Sequence, residues 1–273
     1  GKFSGFTSVL SGMGTALKAA AAATAAAVAG AATAIGALTT KAIEGYAAQE
    51  QLVGGVETLF KTSSDTVVGY ANDAYKTAGM SANEYMETVT SFSASLLASM
   101  NNDTAAAAEK ANVAITDMSD NANKMGTDIS LIQNAYNGFA KQNYTMLDNL
   151  KLGYGGTKEE MQRLLDDASK LSGIKYDISS YSDVVDAIHV VQTEMGITGT
   201  TAKEASTTIE GSVSSMSSAW DNWVAGMADS EANFSQLTSN LVDSIVTVVG
   251  NIAPRVIETV PRLVSGLGEI VEQ

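Results

Sequence analysis

The distribution of proline is the sequence feature that most constrains the fold of this chain. The 273 residues include two prolines, Pro254 and Pro261, so the first 253 residues contain none. Proline removes a backbone donor and clashes with the preceding helical turn, so its absence leaves long stretches free to form helix. Aromatic residues are only 6% of the chain, which suits helices packed through small residues better than a β-sandwich. The sequence therefore predicts an all-α fold.

Residues 63–230 are predicted to form a compact module of about seven helices joined by short Gly, Ser, Thr and Asn connectors. Three S/T-x-x-E patterns match the capping box, in which the first and fourth residues exchange hydrogen bonds with free amides. These predicted boxes begin at Ser81, Thr157 and Thr201. Asp103 is predicted to cap a further helix. The predicted helix stops are Gly126, Gly173 and Gly196.

Apolar residues at spacings of three and four predict which side chains of this module are buried. The predicted stripes are Tyr85, Val89, Phe92 and Leu96; Ala108, Ala111, Ile115, Met118, Ala122 and Met125; Ile129, Ile132, Tyr136 and Phe139; Met161, Leu164, Leu165 and Ala168; and Val184, Ile188, Val191 and Met195. The helix after Thr201 is predicted to run through Ile209, Val213, Met216, Trp220, Trp223 and Met227.

Residues 1–62 form an Ala-rich segment that is predicted to be one or two long helices. Its apolar positions follow a three-four spacing typical of a helix that packs on partner helices, with alanine permitting close approach. This predicted oligomer seam comprises Leu10, Met13, Leu17, Ala20, Thr24, Ala27, Ala31, Ala34 and Leu38, and Trp220 and Trp223 are a second predicted packing anchor.

The stretch from Ala19 to Thr40 is long enough to span a membrane, because its 22 residues carry no charge. Thirteen of them are alanine, and the only large apolar residues are Val28, Ile35 and Leu38. Membrane insertion is driven by such large side chains, so three make a marginal span. A close-packed helix is the favoured interpretation, and a membrane helix is the alternative.

Residues 231–273 are predicted to be amphipathic and to continue into a longer polypeptide. One face, predicted to meet a partner or a membrane, carries Phe234, Leu237, Leu241, Ile245, Val248 and Ile252. Around Pro254 and Pro261 the pattern allows either two short helices that each begin at a proline or one long kinked helix. A face that lies on protein and one that lies on a membrane are both consistent with it.

The glycine-rich run at 153–158, "GYGGTK", does not match a phosphate-binding loop. That loop ends in Gly-Lys followed by Ser or Thr, whereas Lys158 here follows Thr157 and precedes a glutamate. Lys158 also stands where the last glycine of a dinucleotide-binding G-x-G-x-x-G would be. A helix start capped by Thr157 accounts for the run, so no nucleotide cofactor is expected.

No other stretch predicts a metal or a catalytic site. In the acidic run "DMSDNANKMGTD" (117–128), alignment to a calcium loop puts Met125 and Ile132 at ligand positions, where neither can bind calcium. His189 is the only histidine and there is no cysteine, so a zinc cluster is excluded. We expect no catalytic residue, no metal and no cofactor, and therefore no enzyme. The net charge of −14 argues against specific binding of nucleic acid.

Three stretches of the module carry a resemblance to a known family: "FAKQNYTMLDNLKLGYGGTKEEMQRLL" (139–165), "ITGTTAKEASTTIEGS" (197–212) and "AWDNW" (219–223). Residues of about 45 to 230 closely resemble the tail tape measure proteins of long-tailed bacteriophages and prophages of Gram-positive bacteria. The flanking Ala-rich and apolar segments also resemble the regions that border this part of the family.

The resemblance implies a structural virion protein that occupies the lumen of the tail tube, sets tube length and leaves ahead of the DNA during ejection. Its implied partners are copies of itself, as a homotrimer or else a hexamer in coiled-coil contact. Tail tube, distal tail and baseplate hub proteins, a tail assembly chaperone and the host membrane are also implied. The implied location is the virion tail, and the host cytoplasm during assembly.

Repeated caps indicate that residues 63–230 are a globular module near one end of the rod, since a ruler would be one long uncapped helix. Two other functions stay open. One is a membrane-active helical protein that inserts through 19–40 and 234–270. The other is a cell-wall hydrolase, for which the chain lacks a recognisable set of catalytic residues.

Overall fold

The computed structural model describes the backbone of residues 25–271 and the side chains of residues 36–254. Within the described residues the secondary structure is helical and contains no β-strand, which confirms the predicted all-α fold. The α-helices are α1 (Ala25–Phe60), α2 (Ser64–Thr77), α3 (Ala82–Ser99), α4 (Thr104–Met125), α5 (Ile129–Phe139), α6 (Lys158–Ser172), α7 (Tyr181–Glu194), α8 (Thr200–Thr207), α9 (Ile209–Gly226) and α10 (Phe234–Val271). Short 3-10 turns lie at Lys61–Ser63 and Leu147–Leu150.

The chain divides into two compact units. One unit is Glu44–Lys203, and the other joins Glu204 onward to the part of the chain that precedes Glu44. These bounds differ from the predicted segments 1–62, 63–230 and 231–273, which stay a prediction.

The core of the unit Glu44–Lys203 is built from the apolar stripes that the sequence predicts. Every predicted residue of α3 and α6 is buried, and so are most of those on α4, α5 and α7. Ala122, Met125 and Ile129 are half-buried at the edge of this core. The prediction that Met195 belongs to the core is wrong, because Met195 follows the last residue of α7 and is 45% exposed.

Local capping residues set most helix ends, as predicted. At the start of α3, Ser81 Oγ accepts the amide of Glu84 while the Glu84 carboxylate accepts the amide of Ser81, at 3.3 and 2.8 Å. Asp103 accepts the amides of Ala105 and Ala106, each at 3.1 Å, at the start of α4. Left-handed glycines follow α4, α6 and α7, at Gly126, Gly173 and Gly196.

The predicted box at Thr157 forms only in part. Thr157 Oγ1 accepts the amide of Glu160 at 3.2 Å, as expected. The Glu160 carboxylate, however, accepts the amide of Gly155 and pairs with Arg163. The amide of Thr157 is already donated to the Gly155 carbonyl at 3.0 Å, so it is not available to Glu160.

The predicted box at Thr201 is wrong. Helix α8 begins one residue earlier, at Thr200, and the amide of Thr201 is held by Asp120 of helix α4. The chain then breaks after Thr207 and restarts as α9, with Thr208 Oγ1 accepting the amide of Gly211 at 3.0 Å. The sequence therefore predicts one helix where the structure has two, α8 and α9.

The glycine run before α6 is a packing turn. A Cβ atom on Gly156 would lie 2.2 Å from the carbonyl oxygen of Thr145, so glycine is needed for the two backbone segments to meet. Arg163 stacks on the Tyr154 ring at 4.3 Å and donates to the Gly153 carbonyl at 2.8 Å, which holds the turn against α6.

In the second unit, α9 packs along α10. Trp223 stacks on Trp220 and contacts the tilted ring of Phe234, with ring centroids 5.3 and 5.5 Å apart. Its indole N–H donates to Thr238 at 3.1 Å. Along the predicted partner face of α10, Leu241 and Val248 are buried, Leu237, Ile245 and Ile252 are half-buried, and Phe234 is 39% exposed. Most of this face therefore lies on protein of the same unit. Helix α10 runs without a break through both prolines, so the alternative of two separate helices is wrong, and the kink stays a prediction.

Helix α10 has a second apolar stripe that the sequence analysis did not single out. Val242, Val246 and Val249 lie at helical spacing and are 50%, 64% and 59% exposed. Within residues 25–271, no helix combines the length and the apolar character needed to cross a membrane. Ala19 to Thr24 of the candidate span lie outside the described residues.

We expect Gly156→Ala to destabilise the unit, because the added methyl group must displace the Thr145 backbone. Overpacking of this kind costs about 1–3 kcal/mol, measurable by urea denaturation followed by circular dichroism. Gly155→Ala is the matched control, since its Cβ would lie 3.5 Å from Glu160 Cγ, an ordinary contact. Equal effects of the two substitutions would show that the close approach at Gly156 is unimportant.

Candidate functional site

The predicted packing seam is only partly within the described residues. Leu10, Met13, Leu17 and Ala20 lie outside them, and Ala27 and Ala31 lie in α1, where only the backbone is described. Leu38, Trp220 and Trp223 are half-buried. The two tryptophans pack within their own chain, and their role in an oligomer stays a prediction.

The chemically distinctive part of the structure is a set of polar side chains buried in the middle of the unit Glu44–Lys203. Helix α4 buries Asp117, Asp120 and Asn121 almost completely. Helix α7 contributes His189 and Gln192 to the same place. We call these five residues the α4 polar cluster.

Asp117 and His189 form a hydrogen-bonded pair that joins α4 to α7 and becomes an ion pair when the imidazole is protonated. The carboxylate is 1% exposed, and both of its oxygens contact His189 Nδ1, at 3.0 and 2.9 Å. A carboxylate can only accept, so Nδ1 carries the proton. The imidazole is 37% exposed and reaches solvent, whereas the acid does not.

Burial and pairing change the proton affinities of both groups. Burial raises the pKa of Asp117 above its usual value, and the hydrogen bond from His189 opposes this. The hydrogen bond to Asp117 raises the pKa of His189 above 6.5, and partial burial opposes it. Both groups therefore bind protons more tightly in the folded chain than in the unfolded one.

Asp120, one turn further along α4, caps helix α8 from a distance. Its two carboxylate oxygens accept the amides of Gly199 and Thr201, at 2.5 and 2.8 Å. The free amides and the positive end of the helix dipole at the start of α8 offset the charge of this buried acid. Asp120 of α4 thus caps α8 from a distant part of the chain, whereas Ser81 caps α3 locally.

Asn121 ties α4 to two further segments. Its amide nitrogen donates to the Leu150 carbonyl at 3.0 Å and to Gln192 Oε1 at 2.8 Å. Gln192 in turn donates to the Asp117 carbonyl oxygen at 3.4 Å. The cluster therefore joins α4, α7, the turn at 147–150 and the start of α8.

Two buried tyrosine hydroxyls lie in the same core. Tyr136 of α5 and Tyr181 of α7 have no hydrogen-bond partner for their hydroxyl oxygens within the described residues. Burial raises the pKa of Tyr136 well above its usual value, and the charge of Asp117 adds to this. Burial likewise raises the pKa of Tyr181 above its usual value, so both phenols are neutral near pH 7.

This arrangement can bind and release one proton and can fix the relative positions of the segments that it joins. A metal ion is not suggested, because no group of three or more His, Asp or Glu side chains in the described part of the chain could hold one. The expectation that the chain is not an enzyme stays a prediction.

The sequence analysis missed the cluster because it tested residues 117–128 only as a calcium loop. It did predict that this helix extends to Met125, as the structure shows. A signal was present: Asp117, Asp120 and Asn121 have the i, i+3, i+4 spacing of one helix face, next to the buried positions Ala114 and Met118. Polar residues on an apolar face indicate buried hydrogen bonds.

No protein-family model matches this chain, and neither a curated protein nor a solved structure is significantly similar to it.

We expect Asp120→Ala to destabilise the unit by about 2 kcal/mol, the upper end for a lost helix cap, because the amides of Gly199 and Thr201 lose their acceptor. Their hydrogen exchange is expected to accelerate. Asp103→Ala is the matched control, because it removes an exposed local cap worth about 1 kcal/mol. If Asp120→Ala lowers the free energy of unfolding by no more than Asp103→Ala does, the cap supplied by α4 stabilises the unit no more than a local cap.

Proposed function

We propose that this chain is a structural segment of a phage-type tail tape measure protein. The observation that carries the proposal is the combination, in one chain, of capped helices of 22 residues or fewer between residues 82 and 207 with helices of 36 and 38 residues before and after them in sequence. The resemblance of residues 45–230 to that family supports the same function.

Helix geometry makes such a chain suitable as a measure of length. A helix rises about 1.5 Å per residue, so α1 and α10 would each extend for more than about 50 Å. The proposal includes a long Ala-rich N-terminal helix, amphipathic helices at the C-terminal end and the predicted segments 1–62, 63–230 and 231–273. The charge of −14 disfavours adhesion to the DNA that must follow the protein through the tube.

The proposed setting is the virion tail, with the host cytoplasm as the place of assembly. The proposed partners are two further copies of the chain, or five in a hexamer, with coiled-coil contact through the Ala-rich seam. Tail tube, distal tail and baseplate hub proteins and a tail assembly chaperone complete the set. The capped module is proposed to lie near one end of the rod.

Tail length provides the test. In cells that produce the particle, deletion of about twenty helical residues from the same polypeptide, outside the capped module, is expected to shorten the tube by about 30 Å in electron micrographs. Duplication of the same block is the matched control and is expected to lengthen the tube equally. Unchanged tails in both variants, or absence of the chain from purified particles, would refute the proposal.

A second candidate is a membrane-active helical protein, for which the exposed valines of α10 are the favouring observation. Helices with an apolar stripe can lie in a bilayer interface. The 273-residue chain is then expected to release dye from anionic liposomes, and serine at Val242, Val246 and Val249 is expected to abolish release. Ile174→Ser, at an apolar residue that is 59% exposed outside α10, is the control. Leakage that survives the triple substitution would exclude this stripe as the membrane contact.

A further inference from the structure

We propose that the contact of Asp117 with His189 is a proton-operated latch that holds α7 against α4. The latch is closed while His189 is protonated, and the contact weakens as the imidazole loses its proton. This inference does not depend on the proposed function. It starts from geometry, since one almost fully buried carboxylate directs both oxygens at a ring nitrogen of a half-exposed imidazole.

The charge of Asp117 is compensated by a group that titrates near neutral pH. A buried carboxylate needs an opposite charge or several donors, and protonated imidazole supplies a charge. When the imidazole loses its proton, Nδ1–H can still donate a hydrogen bond, but the positive charge is gone. The contact then holds a buried anion against a neutral ring, which is a weaker arrangement.

The other charged and titratable groups around the pair act in both directions. On α7, Asp186 favours the protonated imidazole, and on α4, Lys110 disfavours it. Lys110 and Asp186 pair with each other, so their influences on His189 partly cancel. Asp120 on α4 and Asp186 on α7 disfavour ionisation of Asp117. Asp117 in turn disfavours ionisation of Tyr136 on α5. Protonated His189 is therefore the cation in direct contact with Asp117.

The direction of the pH effect follows from linkage. Because the pKa of His189 is raised in the folded chain, its contribution to stability is fully present below pH 6.5 and is lost as pH rises through the folded pKa. The raised pKa of Asp117 acts in the same direction at lower pH. Each unit of difference between folded and unfolded pKa changes the unfolding equilibrium about tenfold.

Opening of the latch would act on the rest of the α4 polar cluster. Gln192 lies one turn after His189 on α7 and contacts both Asn121 and the Asp117 carbonyl. Separation of α7 from α4 at His189 therefore strains the contact of Gln192 with Asn121, the residue that also holds α4 to the turn at 147–150. The latch links protonation at the surface to packing in the core.

The composition of the chain makes this proposal unusually testable. It contains one histidine and no cysteine, so His189 and the α-amino group are the groups that ordinarily titrate between pH 5.5 and 8. One imidazole also gives one set of ring resonances in an NMR spectrum. Its pKa can be measured directly in the folded 273-residue chain and again in urea.

The expected result is a higher pKa for His189 in the folded chain than in urea, and a return toward 6.5 in Asp117→Asn. Asp186→Asn is the matched control, because it removes a nearby acid that does not contact the imidazole, and is expected to lower the pKa less. A folded pKa equal to or below the unfolded pKa, or one that Asp117→Asn leaves unchanged, overturns the latch.

Stability provides the second measurement. The urea midpoint of the natural chain is expected to fall as pH rises from 6 to 8.5. Hydrogen exchange of the α7 amides is expected to accelerate over the same range, after correction for the intrinsic pH dependence of amide exchange. His189→Gln alone also removes the group that lowers the pKa of Asp117, so the buried acid would still titrate. His189→Gln with Asp117→Asn, a neutral pair of similar shape, is therefore the variant expected to remove both dependences. A double variant that keeps the pH dependence of the natural chain contradicts the proposal.

Discussion

The cost of removing carboxylates from water is the constraint on which the unit Glu44–Lys203 depends. Asp117 and Asp120 are almost fully buried in α4, and a buried carboxylate is tolerated only where charges or donors surround it. The donors come from His189 and from the amides of Gly199 and Thr201. Helix α4 can therefore be buried in this way only if α7 and α8 take the positions that bring those donors to it.

Such contacts give the unit what its apolar packing lacks. On α4, Ala107, Ala108, Ala111 and Ala114 are fully buried, and small side chains let helices approach closely. Alanine faces resemble one another at successive turns, so they discriminate poorly between helix registers. A polar side chain with one matching partner does discriminate, as a single buried Asn does in coiled coils. Here Asn121 can discriminate between registers in this way, because it donates hydrogen bonds to both Leu150 and Gln192.

Sequence reasoning succeeded where structure is decided locally. The Ser81 box, the Asp103 cap, the glycine stops and the α3 and α6 stripes involve residues within a few positions of each other. It failed where the deciding partner is distant in sequence. The predicted box at Thr201 does not form because Asp120, 81 residues earlier, accepts the amide of Thr201. His189 contacts Asp117, which is 72 residues away in sequence. The glycine run could be assigned to a helix start, but the need for Gly156 arises from the Thr145 backbone, which only the fold brings near.

The proposed function gives a reason for placing such a unit within a chain of long helices. A rod defines a length only if its ends are fixed, and an Ala-rich helix presents nearly the same surface at every turn, so it offers no unique point of attachment. A compact unit whose buried acids permit one arrangement presents one surface. Under the tape measure proposal, the polar cluster would thus matter for position more than for stability, since buried ion pairs are often no more stabilising than apolar packing of the same volume. Replacement of the whole cluster by apolar residues would then leave a folded unit that attaches at the wrong place or at several.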